Sequence, residues 1–469
     1  MPSLPCLQTL QRELADSIIR CAPLDDIRIL LACGAKVNEP VTQGLRPLHY
    51  ATYQKYVEAV NLLLVRGSDV DAMDEVGYTA LHLCAERGYS DLMQMLMDHS
   101  CRVKFTELQP DDKALGNPPR ATLADEPLRL AIKNGHKECA EILLKSGADP
   151  NARYFLGSEI NLISPLNISF LEMLLKYGAC PDSRDRSGLT PLMKACRHPQ
   201  GYAAAKILLH YGADPNAMTS ERHDHRTVLH YAVLSGNIDI VRLLLHHTAN
   251  VRFPSEFQKP TPLDFAILRG NVEMVKLLIN AGADVNVGSP IIGLPLHIAL
   301  SEKVENKEEI VKILLEADAD PNAITVDERG PLLKPPMGEY FNSSETPNCE
   351  IIRLLLKYGA RIIIKAQIAN PIGILKVMHR IHLNISLDIM NLVLEMAESF
   401  SIASIKRCSL LSNSQREVIL KTAVNPIPLK HTVRMEVRRL LGNYGHIVIE
   451  KIDLLPIPAL IKKYLLYEI

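Results

Sequence analysis

Histidine is the residue in this chain with the clearest capacity for chemistry, because its ring can move protons or bind a metal near neutral pH. Four of the 16 histidines occupy the same place in a short recurring motif, which first appears as Arg46-Pro47-Leu48-His49. These four are His49, His82, His230 and His297. Such regular recurrence favours a structural role, in which each histidine bridges the backbones of neighbouring segments. We therefore do not assign them to catalysis or to a metal site.

Two further groups of residues could bind a metal. His223-Asp224-His225 lies at a predicted turn, and a site there would need further ligands that the sequence does not supply. The ten cysteines show neither CxxC pairs nor regular spacing, and Cys84, Cys139 and Cys196 fall in predicted helices, where a thiol packs as a small apolar group. We expect a reduced protein without a metal site, located in the cytoplasm, with the nucleus left open as a further compartment.

The sequence contains none of the common enzyme motifs. It has no glycine-rich phosphate loop, no nucleophilic Ser or Cys with recognisable partners, and no HExxH. The 52 Lys and Arg balance the 53 Asp and Glu, so the chain lacks the basic footprint of a nucleic-acid-binding protein. No apolar run approaches the ~18 residues that a bilayer span needs. We predict a protein that is not an enzyme, uses no cofactor, binds no nucleic acid and does not insert into a membrane.

Most of the chain is built from one unit, which is clearest in residues 261–286. Thr261 can cap a helix that begins at Pro262, where the missing amide hydrogen costs nothing. Apolar residues at i, i+3 and i+4 predict two short amphipathic helices separated by Gly270-Asn271. Gly282 can adopt the left-handed conformation that ends the second helix. Helices this short need neighbours to cover their apolar faces, so the unit is expected to stack on copies of itself.

The end of this unit recurs at intervals that are mostly close to 33 residues. The recurrences are Gly34, Gly67, Ser100, Gly147, Gly178, Gly212, Thr248, Gly282, Asp318 and Gly359. The helix-opening motif recurs in register with them, for example as Thr190-Pro191-Leu192 and Leu294-Pro295-Leu296-His297. This pattern resembles an ankyrin-repeat array over roughly the first three quarters of the chain. The resemblance implies an all-α ankyrin-repeat solenoid of about nine or ten helix pairs, followed by a helical C-terminal module.

Three domains are predicted. Residues 1–363 form the ankyrin-repeat array, and its atypical first repeat caps the N-terminal end. Residues 364–424 form a helical cap or linker, and residues 425–469 form the C-terminal module. Within the array, the proline-containing segments 105–125 and 331–347 break the register and are predicted to be insertions.

The C-terminal module gives the clearest functional signal. From Leu429 onward, apolar residues at i, i+4, i+8 and i+11 or i+12 predict a helix with one apolar and one basic face, which ends at Gly442 and Gly445. The apolar face carries Leu429, Val433, Val437 and Leu440 or Leu441, and the basic residues are Lys430, Arg434, Arg438 and Arg439. The prolines of Leu455-Pro456-Ile457-Pro458 then delay a final short helix with Leu460, Ile461, Tyr464 and Leu465 on one face. Periodicity alone does not decide whether the apolar stripe packs on the array or binds a partner.

A second resemblance concerns these same residues. Pro428-Leu429, Val433 and Val437 match the spacing of the BC box of the SOCS-box family, and the segment 455–458 followed by Tyr464-Leu465-Leu466-Tyr467 is similar to its cullin box and closing helix. The whole chain therefore resembles the ankyrin repeat and SOCS box family. The resemblance implies that elongin C is bound by Pro428, Leu429, Val433 and Val437, and the cullin by Leu455, Pro456, Ile457 and Pro458. The family usually has Cys where this chain has Val433, and we expect valine to weaken that contact without abolishing it.

The resemblance implies an adaptor: the substrate-recognition subunit of a ubiquitin ligase that contains elongin B, elongin C and cullin-5 with a RING subunit. The ankyrin repeats would hold an unknown protein substrate. The alternative is a noncatalytic ankyrin scaffold that binds or sequesters a partner, with terminal helices that only cap the stack. In ankyrin proteins the asparagines that end the repeats can be hydroxylated, and Asn286, eight residues after Leu278, is the best candidate here.

Overall fold

The computed structural model describes residues 4–104, 125–154, 156–254, 257–289, 291–301, 303–327, 330–331, 333–367, 370–381, 383–442 and 444–468. The chain divides into two compact units, Met1–Ser220 and Glu221–Ile469. The insertion predicted at 105–125 lies outside the described residues except for Asp125. Among the residues that are described, no helix combines the length and the apolar composition that crossing a membrane requires.

Six pairs of consecutive helices make up the described part of the first unit. They are α1 (Leu4–Ile19) and α2 (Leu24–Ala32), α3 (Pro47–Tyr53) and α4 (Val57–Val65), α5 (Ala80–Arg87) and α6 (Ser90–Asp98), α7 (Pro127–Lys133) and α8 (Lys137–Lys145), α9 (Glu159–Leu162) and α10 (Ile168–Lys176), and α11 (Pro191–Arg197) and α12 (Tyr202–His210). A two-residue antiparallel hairpin, β1 (Arg153–Tyr154) and β2 (Gly157–Ser158), precedes α9. For most successive repeats, the first helix of one repeat packs on the first helix of the next, and the second helix packs on the second. Each repeat therefore covers the apolar face of its neighbour.

Four further pairs open the second unit in its described residues. They are α13 (Val228–Ser235) and α14 (Ile238–His246), α15 (Pro262–Leu268) and α16 (Val272–Asn280), α17 (Pro295–Ala299) and α18 (Lys307–Glu316), and α19 (Pro336–Ser343) and α20 (Cys349–Lys357). The antiparallel strands β3 (Val326–Asp327) and β4 (Gly330–Pro331) form a hairpin before α19. The ten pairs of the two units, counted over the described residues, confirm the predicted number of repeats.

The rest of the second unit continues the helical architecture. Strands β5 (Ile363–Ile364) and β6 (Ser399–Phe400) pair in parallel, and helix α21 (Leu383–Glu395) connects them. Helices α22 (Ile402–Arg407) and α23 (Asn413–Val424) follow. The chain then forms three helices that contact one another, α24 (Leu429–Leu441), α25 (His446–Leu454) and α26 (Ala459–Leu465). We call α24 to α26 the C-terminal module.

The unit at 261–286 folds as its sequence predicts. The Thr261 hydroxyl accepts a hydrogen bond from the backbone N–H of Asp264, and Pro262 is the first helical residue. The Asn271 side chain caps α16, and Gly282 follows the end of that helix with φ +94°. The predicted periodicity matches the burial. Leu263, Ala266, Ile267, Val275 and Leu278 are at most 1% exposed, and Ile279 is half-buried. Local capping and the burial of one face therefore explain both helices.

All ten predicted repeat ends adopt a positive φ, including the three that are not glycine. Ser100, Thr248 and Asp318 have φ of +58°, +59° and +64°. For an L-residue this conformation costs roughly 1–2 kcal/mol, and a β-branched residue is the least suited to it. The position is thus fixed by the repeat, and Thr248 is strained there.

Replacing Thr248 with glycine is expected to raise the free energy of unfolding by about 1 kcal/mol, because the relief of backbone strain exceeds the extra flexibility of the unfolded chain. Urea denaturation measures this change. Gly212→Thr is the reciprocal control, since Gly212 has φ +83° and an added Cβ would meet no atom within 4 Å. A lower midpoint for Thr248→Gly would contradict the assignment of strain.

His49, His230 and His297, three of the recurring histidines, bridge adjacent repeats, as predicted. In His230, Nδ1 accepts hydrogen bonds from the Thr227 N–H and hydroxyl, so Nε2 carries the proton and donates to the Pro260 carbonyl at 3.1 Å. His49 and His297 reach the next repeat in the same way, at 3.1 and 3.0 Å. Burial lowers the pKa of His230 to about 4, so the ring is neutral near pH 7. These histidines are structural.

Asp264 occupies the histidine position of its own repeat. Its Oδ2 accepts hydrogen bonds from the Thr261 N–H and hydroxyl, but its buried Oδ1 has no hydrogen-bond partner among the described residues. Burial raises the pKa of this carboxyl to about 7. Because the folded-state pKa lies above the unfolded value, protonated Asp264 favours the folded state below about pH 4, and this contribution is lost as the pH rises through 7.

Asp264→His is expected to stabilise the protein by about 1–3 kcal/mol at pH 8, because a neutral ring removes a buried charge and restores the donor to the next repeat. The gain should shrink at pH 5, where Asp264 is protonated and the new ring must be kept neutral. Urea denaturation at the two pH values tests this, with Asp264→Asn as a variant that cannot titrate. An equal gain at pH 5 and pH 8 would refute the explanation.

Two elements differ from the sequence-based expectation. The segment 331–347, predicted as an insertion, contains α19, which begins at Pro336 and buries Tyr340 and Phe341. The clustered prolines therefore start a helix, since proline is well suited to the first helical position. Helix α25 was not predicted, since no element was assigned between Gly445 and Leu455.

Candidate functional site

Helix α24 presents two chemically different faces. Its outer face consists of Leu429, Val433, Val437 and Leu440; of these, Leu429 is 78% exposed, Val433 50% and Leu440 76%, and Val437 is half-buried. Its inner face consists of His431, Arg434 and Arg438, which are 4%, 2% and 7% exposed. The usual arrangement of an amphipathic helix is therefore inverted, since the polar face is buried and the apolar face meets solvent.

Arg434 is buried between aromatic rings. Its guanidinium carbon lies 3.5 Å from the centre of the Tyr464 ring and 4.4 Å from that of Tyr467, and Nη1 donates to the Met396 sulfur at 3.0 Å. Burial lowers the pKa of the guanidinium from its ordinary value, while the tyrosines oppose that shift. The cation–π contacts partly replace the hydration that Arg434 loses.

Arg438 joins the C-terminal module to α20, the second helix of the tenth pair. Its Nη1 donates to the Leu465 carbonyl at 2.9 Å, and its Nη2 donates to the Lys357 and Leu356 carbonyls at 2.6 and 3.4 Å. The last carbonyls of a helix lack partners within the helix and lie at the negative end of its dipole. Arg438 therefore completes the end of α20 with a fixed fork of donors, which a lysine could not supply.

His431 completes the inner face. Neither ring nitrogen makes a hydrogen bond within normal distance among the described residues, although backbone carbonyls of Met396 and Ala397 lie nearby. Burial, together with the Arg434 cation, lowers the pKa of His431. The inner face thus packs two arginines and a neutral imidazole against other residues of the second unit. The outer face is left uncovered.

The predicted cullin-binding segment connects α25 to α26. Pro456 and Pro458 are exposed, Leu455 and Ile457 are half-buried, and the Ile457 N–H donates to the Leu455 carbonyl at 2.9 Å. The final helix, α26, buries only part of its predicted apolar face. Leu465 and Leu466 are buried at 4% and 6% exposure, whereas Leu460 and Ile461, expected on the same face, are 68% and 45% exposed.

The burial of Arg434 and Arg438 was not predicted, because their spacing indicates only that they belong to the basic face. Spacing shows which residues share a face, but not which face meets the rest of the chain. A usable signal was the aromatic Tyr464 and Tyr467 at the chain end, because arginine commonly stacks on such rings. Leu429 and Val433, by contrast, lie together on one surface at the predicted positions.

Asn286 links two repeats through its side chain. Its amide donates to the Asp318 carbonyl at 3.0 Å, and its carbonyl accepts from the Asp320 N–H at 2.9 Å. Asn38, Asn151 and Asn322 make the same pair of bonds to their following repeats. The column of asparagines therefore has a structural role, and hydroxylation of Asn286 stays a prediction. Mass spectrometry that finds only unmodified Asn286 would count against it.

The turn at 223–225 is held by ion pairs. The Asp224 carboxylate contacts Lys259 Nζ at 3.4 Å and an Arg226 Nη at 3.6 Å. Within the described residues, no three His, Cys, Asp or Glu side chains are arranged to hold a metal ion.

Comparison with known proteins places both parts of the chain. The model of ankyrin repeats matches residues 19–107, 48–154, 218–289 and 258–325, a single-repeat model matches 187–220, and the SOCS box model matches 425–466. The repeat matches together cover more than half of the chain. The SOCS box match contains the whole of α24, α25 and α26.

Individual relatives are similar to this chain at modest identity. Inversin of Canis lupus familiaris is 26% identical over 226 residues, which cover 46% of this chain and 19% of inversin. The E3 ubiquitin-protein ligase KEG of Arabidopsis thaliana is 24% identical over 66% of this chain and 17% of its own length. Ankyrin repeat and SOCS box protein 16 of Homo sapiens is 28% identical over 236 residues, or 47% of each chain. The chain spans between about a fifth and a half of these relatives. With ten helix pairs and a matching C-terminal module, the chain belongs to the ankyrin repeat and SOCS box family.

Proposed function

We propose that this protein is the substrate-recognition adaptor of a ubiquitin ligase composed of elongin B, elongin C and cullin-5 with a RING subunit. Ankyrin repeats and the SOCS box are interaction modules, not catalytic ones. In this proposal the SOCS box binds the ligase and the repeats bind a protein substrate. The adaptor itself performs no covalent chemistry.

The observation that carries the proposal is the exposure of the outer face of α24. Leu429 at 78% and Leu440 at 76% exposure lie on the same helix as arginines that are buried. Burial of apolar area provides roughly 25 cal/mol per Å², so an apolar stripe facing water favours a partner that would cover it. A helix with anchors four residues apart suits binding in a groove. The SOCS box match supports elongin C as the protein that provides this groove.

The scaffold alternative is favoured by one observation, the packing of the inner face against the end of α20. A module that only capped the stack would also make this contact. A capping module would not need an exposed apolar outer face, however. The adaptor hypothesis explains both the buried inner face and the exposed outer face of α24, whereas the scaffold hypothesis explains only the inner face.

Reconstitution from purified components tests the proposal. The full chain is mixed with the elongin B–elongin C complex and with cullin-5 bound to its RING subunit, and the mixture is separated by size-exclusion chromatography. We expect one peak that contains all the components and that forms ubiquitin chains when ubiquitin-activating and ubiquitin-conjugating enzymes are added. Elution of the chain apart from the elongins would favour the scaffold.

A further inference from the structure

The C-terminal module is attached to the last helix pairs at several points besides Arg438. The Gly445 N–H donates to the Tyr358 carbonyl at 3.0 Å, and the His446 N–H donates to Asp318 Oδ1 at 2.9 Å. An added Cβ at Gly445, where φ is +94°, would lie 2.5 Å from Asp318 Oδ1, so the approach requires glycine. These contacts reach residues that follow α18 and α20, on which the module is docked.

The end of the chain adds one more contact to the same helix. Lys357 Nζ forms an ion pair with Glu468 Oε1 at 2.8 Å. Lys357 is also the residue whose backbone carbonyl accepts a hydrogen bond from Arg438. Since both side chains of this pair are 30% and 39% exposed, it contributes little by itself. The buried Arg438 fork is stronger, because its donors meet carbonyls away from water.

None of these contacts uses the outer face of α24. On α24 itself, Arg438, which attaches the module to the repeats, lies on the side opposite the residues left for a partner. Loss of an inner-face contact should therefore change how the module is oriented, while the outer-face atoms that a partner would meet stay the same.

From this separation we propose that Arg438 is a positioning residue, which fixes the SOCS box at one orientation on the last ankyrin repeats whether or not a partner is bound. The inference rests on the proposed function in one respect only, namely that a fixed orientation would set the distance between a substrate held by the repeats and the ligase. The attachment itself is a property of this chain alone.

Distance measurement by pulsed electron spin resonance tests the proposal. Two exposed residues, Glu308 on α18 and Asp453 on α25, are replaced by p-acetylphenylalanine. Spin labels are attached to its ketone group, so the native cysteines are left unmodified. The wild-type background should give one narrow distance distribution, both free and with the elongin B–elongin C complex. Arg438→Met should broaden the distribution at least twofold. Arg438→Lys should give a width between those of wild type and Arg438→Met, because the donors of an ammonium share one nitrogen and cannot reproduce the planar fork of the guanidinium.

Arg439→Met is the matched control, because Arg439 lies on the same helix, is exposed and pairs with Glu436. Its distribution should stay narrow. Unchanged width in Arg438→Met, or equal broadening in both variants, would overturn the positioning role. The elongin-bound sample separates orientation from folding, since a module that binds elongins is folded. Failure of wild type to bind elongins would instead count against the proposed function, and the free-protein distances would still decide the role of Arg438.

Discussion

Leu429→Ala is expected to weaken binding of the elongin B–elongin C complex by about 2–4 kcal/mol, the cost typical of a central interface anchor. This corresponds to a roughly 30- to 700-fold higher Kd. The side chain is 78% exposed in the free chain, so its removal should leave the free energy of unfolding within about 0.5 kcal/mol of wild type. Calorimetric titration gives the Kd, and urea denaturation gives the stability.

A matched control separates an anchor from general surface hydrophobicity. Leu410 is also an exposed leucine, at 52%, and lies outside the SOCS box. Leu410→Ala should bind elongins as wild type does. Equal affinity of wild type and Leu429→Ala would show that the outer face of α24 does not provide the anchor.

Replacement of residues 455–458 by four alanines is expected to abolish cullin-5 binding while elongin affinity changes by less than about threefold. The two prolines restrict φ to about −65°, so the wild-type segment has less conformational entropy to lose on docking than four alanines would. The apolar side chains of Leu455 and Ile457 are also removed. The measurement is co-elution with cullin-5 after the variant has been saturated with elongins.

Glu450→Ala provides the control for that experiment, since Glu450 is an exposed residue of α25 close to the segment. It should retain both elongins and cullin. If the tetra-alanine variant still co-elutes with cullin-5, the assignment of Leu455, Pro456, Ile457 and Pro458 is wrong. If it loses elongins as well, the segment supports the fold of the SOCS box instead of contacting the cullin directly.

The repeat architecture was predictable from sequence because its determinants are local. Thr261 caps a helix and Gly282 ends the next one through contacts a few residues away, and the same signals recur with one period. That period was strong enough to place Ser100, Thr248 and Asp318 correctly although they are not glycines. Proline-rich stretches were misread where proline started a helix, as at Pro336, because the same residue also marks loops.

The orientation of α24 could not be predicted in the same way. Spacing places Leu429 and Val433 on one face and Arg434 and Arg438 near the other, but hydrophobicity alone would bury the leucine. Which face of α24 is buried depends on the carbonyls at the end of α20, which bind Arg438, and on the rings of Tyr464 and Tyr467, which contact Arg434. Lys357 is 81 residues before Arg438, and no local pattern reports such a contact.

We propose that the outer face of α24 is a binding surface for elongin C. Calorimetric titration of the full chain with purified elongin B–elongin C, repeated at several temperatures, tests it most directly. We predict saturable one-to-one binding with a negative heat-capacity change, the mark of apolar surface leaving water. No saturable binding, or binding with a heat-capacity change near zero, would contradict it.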